Sequence, residues 1–262
     1  MPHQDDHADH GFRHDFPHLL GRRRFLTVLS GLGLSASAGL PAAALDCVAI
    51  PRETAGPFPA DGTNRRAGQI VDVLTQNGVL RRDITSSFGE AKGQAEGVPI
   101  SLELTLQDHA GCTPLEGYAI YIWHCDAGGA YSMYNVPEAN WLRGLAVADA
   151  SGKVAFDTVV PGCYPRRWPH IHFEVFESAE AAVSGARPVL ISQLAFPEGQ
   201  IGDIYQSDQG RYAHSIRNLA GIPLSRDSIF RDNSAAELAQ QTVEVASGTG
   251  VLTGRATIPI AL

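Results

Sequence analysis

The side chains best suited to chemistry are concentrated in residues 161–173, which read PGCYPRRWPHIHF. This stretch holds one phenol, two guanidinium groups and two imidazoles. The β-branched Ile171 and the apolar residues after it predict a strand over residues 170–177. Because side chains alternate between the two faces of a strand, His170 and His172 share one face. Two imidazoles on one face suit zinc, copper, iron or nickel about equally well.

Two tyrosines are candidates for further ligands. Tyr164 lies six residues before His170, in a proline-containing loop that follows a Pro-Gly turn. This spacing lets the chain double back and bring the phenol near the imidazoles. Tyr131 follows Gly128 and Gly129, where the backbone can turn sharply. Loops on a rigid scaffold often carry functional side chains, but for Tyr131 taken alone ordinary packing is the preferred explanation.

Short strands separated by turn signals must position these side chains. The strand candidates after residue 98 are 100–107, 118–124, 153–159, 170–177, 189–196, 241–246 and 255–261. Short helices are expected over 178–184 and 234–241, the second with Ser234 as N-cap and Glu237 three residues on. This pattern predicts a mainly β protein, an antiparallel β-sandwich with few short helices. Because no linker divides it, we expect one domain.

The first 44 residues differ from the rest of the chain. Arginines at 22–24 precede an apolar run over 25–40, and the run is followed by Ala42, Ala43 and Ala44. This order predicts a twin-arginine signal peptide over residues 1–44, leaving 45–262 as the exported domain, either periplasmic or secreted. The apolar run is shorter than the roughly 20 residues that a bilayer requires, so no stable membrane span is expected.

Charge and cysteine content narrow the possible partners. The 262-residue chain has a net charge of −8, which argues against nucleic acid as a partner, and its 44% hydrophobic content is typical of a globular domain. Its four cysteines allow three complete pairings in an oxidising compartment. Flanking a predicted hairpin, Cys112 and Cys125 are the favoured pair, and Cys163 is expected to be a buried free thiol.

Several separated motifs carry a family resemblance. The segments 123–132 (WHCDAGGAYS), 141–144 (WLRG), 156–164 (FDTVVPGCY) and 170–173 (HIHF) occur in that order. Together they resemble the intradiol ring-cleavage dioxygenases, the relatives of catechol 1,2-dioxygenase and protocatechuate 3,4-dioxygenase. The likeness extends from about residue 51 to about residue 232. The short interval between Tyr164 and His170 is similar to the secreted branch of that family.

The resemblance implies an enzyme with one ferric iron per chain. The implied ligands are Tyr131, Tyr164, His170 and His172, with Tyr164 as the phenolate that leaves when a catechol binds. Catalysis would then combine a catechol with O2 and give a cis,cis-muconate-type diacid. Arg167 would stabilise negative charge on the ring.

The remaining implied residue is Gln193, in the strand after the two histidines, as a hydrogen-bond donor behind the ligands. A substrate carboxylate would need a cationic partner, for which the sequence offers Arg65, Arg66, Arg81, Arg82 and Arg166. Which catechol is the substrate and how many chains assemble stay open.

Two other functions fit the same residues less well. An exported β-sandwich binding protein could keep the motifs for packing and hold zinc or no metal. A copper oxidase on a similar scaffold would favour three imidazoles, and two tyrosines in matched loops argue against it.

Overall fold

The computed structural model describes residues 47–262, so the predicted signal peptide lies outside the described residues. The strands are β1 (Asp61–Arg66), β2 (Gln69–Asp72), β3 (Pro99–Asp108), β4 (Thr113–Pro114), β5 (Ala119–Trp123), β6 (Arg143–Val147), β7 (Lys153–Val159), β8 (His170–Phe176), β9 (Leu190–Ala195), β10 (Glu244–Ala246) and β11 (Leu252–Ile260). The helices are α1 (Ala179–Val183), α2 (Glu198–Gln206), α3 (Ala213–Leu219) and α4 (Ala235–Gln240), with a 3₁₀ turn at Leu224–Arg226. None of the helices within residues 47–262 has the length and apolar character needed to cross a bilayer.

Two sheets form the body of the protein, which confirms the predicted β-sandwich. One sheet has the order β6-β5-β8-β9 and is antiparallel throughout. In the other sheet, β3 pairs with β11 on one side and with β7 and β4 on the other, while β10 pairs with the far edge of β11. The pairing of β11 with β3 is parallel, so this sheet is mixed rather than purely antiparallel. A parallel pair needs a long connection, and most of the domain separates these two strands.

The first hydrophobic core lies between the sheets. Alternate residues of β3, beginning with Ile100 and Leu102, are fully buried, as is Phe156 of β7. From the other sheet, Ile171 and Phe173 of β8 belong to the same core. The period of two in these strands therefore determines which side chains fill the sandwich.

A second hydrophobic core covers the opposite face of β8. Every residue of β8 is buried, so this strand is covered on both of its faces. The outer cover is supplied by chain segments near residues 55–88 and by α1, which pack on Tyr121, Trp123 and Leu145. His170 and His172 alternate with Ile171, so they face this second core rather than the sheet interface. A polar site is thereby buried without interrupting the main core.

The sequence predicted most of the long elements. Five predicted strands match β3, β5, β7, β8 and β9 within two residues, and α1 has Ser178 as its N-cap. Ser234 and Glu237 form the predicted capping box of α4. The sequence did not predict β1, β2, β4, β6, α2 or α3. Among them, β2 and β4 have only four and two residues, β1 has no buried residue, and α2 and α3 lack a side-chain cap.

The predicted pairing of Cys112 with Cys125 is wrong. Cys112 forms a disulfide with Cys47, with the two Cα atoms 5.7 Å apart at a sequence separation of 65. Cys125 is buried beyond the end of β5, where its thiol donates to the Gly162 carbonyl. Strand β5 therefore carries Cys125 into the interior, away from the exposed Cys112. Cys163 is a buried free thiol, as predicted.

Removing the Cys47–Cys112 bridge should lower stability. A bridge that closes a loop of this length restricts the unfolded chain, so the double variant Cys47→Ser/Cys112→Ser should lose about 2–4 kcal/mol of unfolding free energy. Guanidinium titration of both proteins, with and without reductant, measures the loss. Reductant should shift the wild type and leave the double variant unchanged. Equal stabilities, or a mapped bridge from Cys112 to Cys125, would contradict the assignment.

Candidate metal centre

Four predicted ligands lie together beside β8. The Tyr164 Oη is 3.1 Å from the His170 Nε2, which is in turn 3.0 Å from the His172 Nε2. The Tyr131 ring is 6.0 Å from the Tyr164 ring and 6.3 Å from the His172 ring. Tyr131 and both histidines are almost fully buried, and Tyr164 is partly exposed. The strand and two distant loops therefore converge on one small volume.

Hydrogen bonding leaves the candidate metal-ligand atoms facing one another. The Nδ1 of His170 lies against the Trp168 carbonyl at 2.5 Å, and a carbonyl can only accept, so Nδ1 carries the proton. The Nε2 of His170 therefore presents a lone pair to Tyr164 and His172. The buried Tyr131 hydroxyl makes no well-formed hydrogen bond with any described residue. An orphaned phenol beside converging imidazole nitrogens is the arrangement that a shared cation would satisfy.

The donor set fits ferric iron. Within residues 47–262, no group of three or more His, Cys, Asp or Glu side chains could hold a metal ion, so the two imidazoles need the phenols as partners. Two phenolates are hard anionic donors that favour a trivalent ion, and imidazole is a common iron ligand. Tyr131, Tyr164, His170 and His172 are the residues that would hold it.

Burial keeps all four side chains neutral in the absence of a cation. It lowers the pKa of His172 well below its usual value, and the neighbouring His170 and Arg167 lower it further. The pKa of His170 is likewise lowered, first by burial and then by Arg167. Burial raises the pKa of Tyr131 and of Tyr164, while Arg167 partly offsets the rise at Tyr164. Both phenols therefore need a strong local positive charge to ionise.

The turn before Tyr131 is fixed by Asp126 and packs directly on Tyr164. The Asp126 carboxylate accepts hydrogen bonds from the amides of Gly128 and Ala130, both at 2.9 Å. Gly129 has a φ of +90°, and a Cβ built there would lie 3.3 Å from the Tyr164 Cβ. Only glycine fits both the left-handed backbone and the close approach.

Gly162 and Ser215 join the two tyrosine loops. The amide of Gly162 donates to the Asp126 carbonyl at 3.0 Å, and a Cβ at Gly162 would come within 2.6 Å of the Ala127 carbonyl oxygen. The Ser215 hydroxyl of α3 donates to Ala127 O at 2.7 Å and accepts from the Cys163 amide at 2.9 Å. Sequence reasoning gave Ser215 no role, because it lies 52 residues beyond Cys163 and 88 residues beyond Ala127.

Arg167 is held at the site by two buried partners. Its Nε donates to Asp227 Oδ2 at 3.0 Å and its Nη2 to Gln193 Oε1 at 2.6 Å, while its Nη1 is 3.5 Å from the Tyr164 Oη. Asp227 also accepts from the Trp168 amide, and Gln193 donates to the Thr54 carbonyl at 2.9 Å. The structure therefore places Gln193 against Arg167. Asp227 was missed because no motif marks it.

Apolar groups cover the ligands on the side away from the main core. The Trp123 ring stacks on His172 with centroids 5.0 Å apart, and the Phe58 ring lies 5.0 Å from the Tyr131 ring. Gly56 approaches so closely that a Cβ would be 3.1 Å from the Cε1 of His172. A glycine at this position, with a φ of +70°, therefore lets the chain pass directly over His172.

Comparisons with known proteins agree with the motifs. Residues 75–200 match a family model described as Dioxygenase. A protocatechuate 3,4-dioxygenase beta chain from Burkholderia cepacia is 29% identical over 133 residues, which cover 46% of this chain and 53% of that protein. The chain thus spans about half the length of the curated relative it matches. The four predicted ligands, Arg167 and Gln193 fall within the matched family region, whereas Ser215 and Asp227 lie beyond it.

Solved structures show the same fold. The intradiol ring-cleavage dioxygenase from Tetranychus urticae has a TM-score of 0.60 and 22% identity, covering 82% of this chain and 95% of that chain. The dioxygenase domain of a dioxygenase carbohydrate-binding protein fusion from Streptomyces sp. SirexAA-E has a TM-score of 0.51 and 21% identity, covering 82% and 99% respectively. These likenesses show the shared fold, and the resemblance to the intradiol ring-cleavage dioxygenases is supported by the sequence matches.

The link made by Ser215 gives a testable expectation. The variant Ser215→Ala leaves a buried amide and a buried carbonyl without their partner, so unfolding free energy should fall by about 1–3 kcal/mol. Because the link joins the loops of Tyr131 and Tyr164, metal retention against a chelator should also fall. Ser207→Ala, which removes an exposed hydroxyl from the end of α2, is the control. Unchanged metal retention in Ser215→Ala would contradict the positioning role.

His124, buried behind the site, should make stability depend on pH. Its Nδ1 and Nε2 lie 2.8 Å from the Cys125 carbonyl and the Thr158 hydroxyl, and burial lowers its pKa to about 4. Below the unfolded value near 6.5, the unfolded chain binds a proton that the folded chain does not. Stability therefore falls as pH drops from about 6.5 toward 4, by about 2 kcal/mol at pH 5 for this residue.

Denaturant titrations of metal-free protein at pH 7 and pH 5 measure this effect. The variant His124→Gln should show a smaller decrease between the two pH values than the wild type. His214→Gln, at an exposed histidine, should not. An equal decrease in His124→Gln and wild type would show that His124 does not titrate as its burial implies.

Proposed function

We propose that this relative of the intradiol ring-cleavage dioxygenases is a non-haem iron(III) enzyme. Its reaction would use O2 to cleave a catechol ring between the two hydroxyl-bearing carbons, giving a cis,cis-muconate-type diacid. The observation that carries the proposal is the convergence of two phenols and two imidazoles in one buried site beside an anchored arginine. When bound, iron(III) would supply a centre that takes both catechol oxygens and makes the ring reactive toward O2.

Tyr164 is suited to leave the centre and carry a proton. It is the most exposed of the four side chains, and it lies in a short loop rather than in a strand. As the catechol hydroxyls lose their protons on binding, the Tyr164 phenolate oxygen can accept one of them. The Arg167 Nη1, 3.5 Å from this oxygen, is placed to donate to it while it is charged.

Tyr131 is suited to remain in place. Its ring is packed against Phe58, its hydroxyl is fully buried, and its backbone amide donates to Asn135 Oδ1 at 2.9 Å. A phenolate released here would be left in an apolar environment without a partner, which is energetically costly. The two tyrosines therefore differ in mobility because their surroundings differ.

Arg167 is the group best placed to stabilise charge on the substrate. Its guanidinium is fixed by Asp227 and Gln193 before any ligand arrives, so no reorganisation is needed when negative charge develops on the ring. Asp227 and Gln193 act through Arg167 and are positioning residues. Trp123 and Phe58 exclude water from the same side of the site, which strengthens these interactions.

Export is part of the proposal. The predicted twin-arginine signal over residues 1–44 would carry the folded protein to the periplasm or beyond. The Cys47–Cys112 bridge supports this location, because disulfides persist mainly in oxidising compartments. The substrate would then be a catechol outside the cytoplasm.

Loss of Tyr131 should remove the colour and the activity together. Wild-type protein loaded with iron should hold about one ion per chain and absorb visible light by charge transfer from phenolate to iron. In Tyr131→Phe, the affinity for iron should fall by roughly 100-fold. Iron occupancy and O2 uptake with catechol should fall with it. Tyr118→Phe is the control, because Tyr118 lies outside the site. A variant that loses the band but keeps its activity would contradict the ligand assignment.

Loss of Arg167 should slow turnover without removing iron. A single pre-organised charge-stabilising donor contributes roughly 10²–10³-fold to rate, so Arg167→Gln should reduce O2 uptake by about that factor at saturating catechol. Iron content should stay near the wild-type value. Arg187→Gln, at an exposed arginine, serves as the control. Wild-type turnover in Arg167→Gln would exclude the proposed role.

A further inference from the structure

A cavity of about 420 Å³ lies behind the loop that carries Tyr164 and Arg167. Pro165 and Arg166 of that loop form one wall, and neither Tyr164 nor Arg167 lines it. The opposite wall comes from the end of α3 and from the chain that follows it. The cavity is therefore distinct from the candidate metal centre, but the two share one loop.

Four arginines line this cavity: Arg166, Arg217, Arg226 and Arg231. No Asp or Glu is among the lining residues. The nearby Asp227 is fully buried. Its carboxylate accepts hydrogen bonds from Arg167, the Trp168 amide and the Ile229 amide, so it does not neutralise the arginines of the cavity. Within residues 47–262, no ion pair joins Arg217, Arg226 or Arg231 to a carboxylate. Among the described residues, the one polar side-chain contact of these three arginines is from Arg217 to the His214 ring.

This concentration of positive charge is unusual for the chain. The protein has a net charge of −8 and only 20 Lys and Arg residues, of which four meet at one cavity. Like charges gathered around a concave surface repel one another, and a bound anion relieves that repulsion. A cleft lined by one sign of charge also concentrates ligands of the opposite sign.

Three of the other arginines that the sequence offered for a substrate carboxylate are held elsewhere. Arg81 is largely buried and donates to the Arg143 and Asn140 carbonyls. Arg82 forms an ion pair with Asp157 at 2.9 Å, and Arg65 donates to the Gly68 carbonyl. Arg166 belongs to the loop that carries Tyr164, and it lines the cavity described above.

We propose that the cavity bounded by Arg166, Arg217, Arg226 and Arg231 binds small organic carboxylates. Guanidinium groups bind carboxylates through paired hydrogen bonds, and several of them can hold a dicarboxylate at both ends. The volume is that of a small-molecule site rather than of one inorganic ion, and Pro165 and Ile222 add apolar wall. The choice of a muconate-type dicarboxylate as the ligand rests on the proposed function; the anion site itself does not.

Calorimetry on the metal-free protein tests the site without catechol chemistry. The probes are cis,cis-muconate, protocatechuate and inorganic phosphate at constant ionic strength. Muconate should bind saturably, and Arg226→Gln/Arg231→Gln should weaken it at least tenfold. Arg226→Lys/Arg231→Lys keeps the charge but loses the paired hydrogen bonds, so it should give a smaller loss. The control Arg66→Gln/Arg187→Gln removes the same charge from exposed positions elsewhere.

The outcomes separate this site from the metal centre. If the Gln variant binds muconate more weakly but protocatechuate as tightly as wild type does, the cavity is assigned to product-like diacids. If it binds both more weakly, the cavity is assigned to carboxylates generally. Equal affinity in the Gln variant and wild type, no binding, or phosphate binding as tightly as muconate would overturn the proposal. O2 uptake with unsubstituted catechol should be the same in the Gln variant and wild type. Failure of that activity in wild type would count against the proposed function alone.

Discussion

At Gly162 the loop before β8 passes the loop after β5 so closely that a single methyl group would strike the Ala127 carbonyl oxygen. This contact brings Tyr164 beside Tyr131, and the Gly162 amide secures it by donating to Asp126 O. Ser215 completes the junction from α3. Two loops that are far apart in sequence thus act as one rigid support. The spacing of the two phenols depends on this junction more than on the strands themselves.

Burial gives the site its chemical character. The two imidazoles and two phenols face each other in a region of low dielectric, where each is neutral without a cation. A trivalent ion would ionise both phenols, and the two phenolates with one hydroxide would balance its charge. The Arg167–Asp227 pair carries no net charge, although the guanidinium is near enough to the site to lower the pKa of both histidines. The surroundings therefore select for a strongly charged cation.

The sequence predicted the local features and missed the long-range ones. His170 and His172 share a face because a strand has a period of two, and Ser234 caps α4 because its hydroxyl reaches the Glu237 amide. Family resemblance added Tyr131 and Arg167. Ser215 and Asp227 carry no such signal, because their roles arise only when α3 and the chain after it pack on the tyrosine loops. The cysteine pairing failed for the same reason, since Cys47 reaches Cys112 only in the folded chain.

A crystal structure of the iron-loaded protein, with anomalous diffraction recorded at the iron absorption edge, tests the central claim most directly. We expect one iron peak per chain, bonded to the Oη atoms of Tyr131 and Tyr164 and to the Nε2 atoms of His170 and His172. No peak at this position, a peak bonded to other residues, or a peak that belongs to zinc or copper would contradict the account.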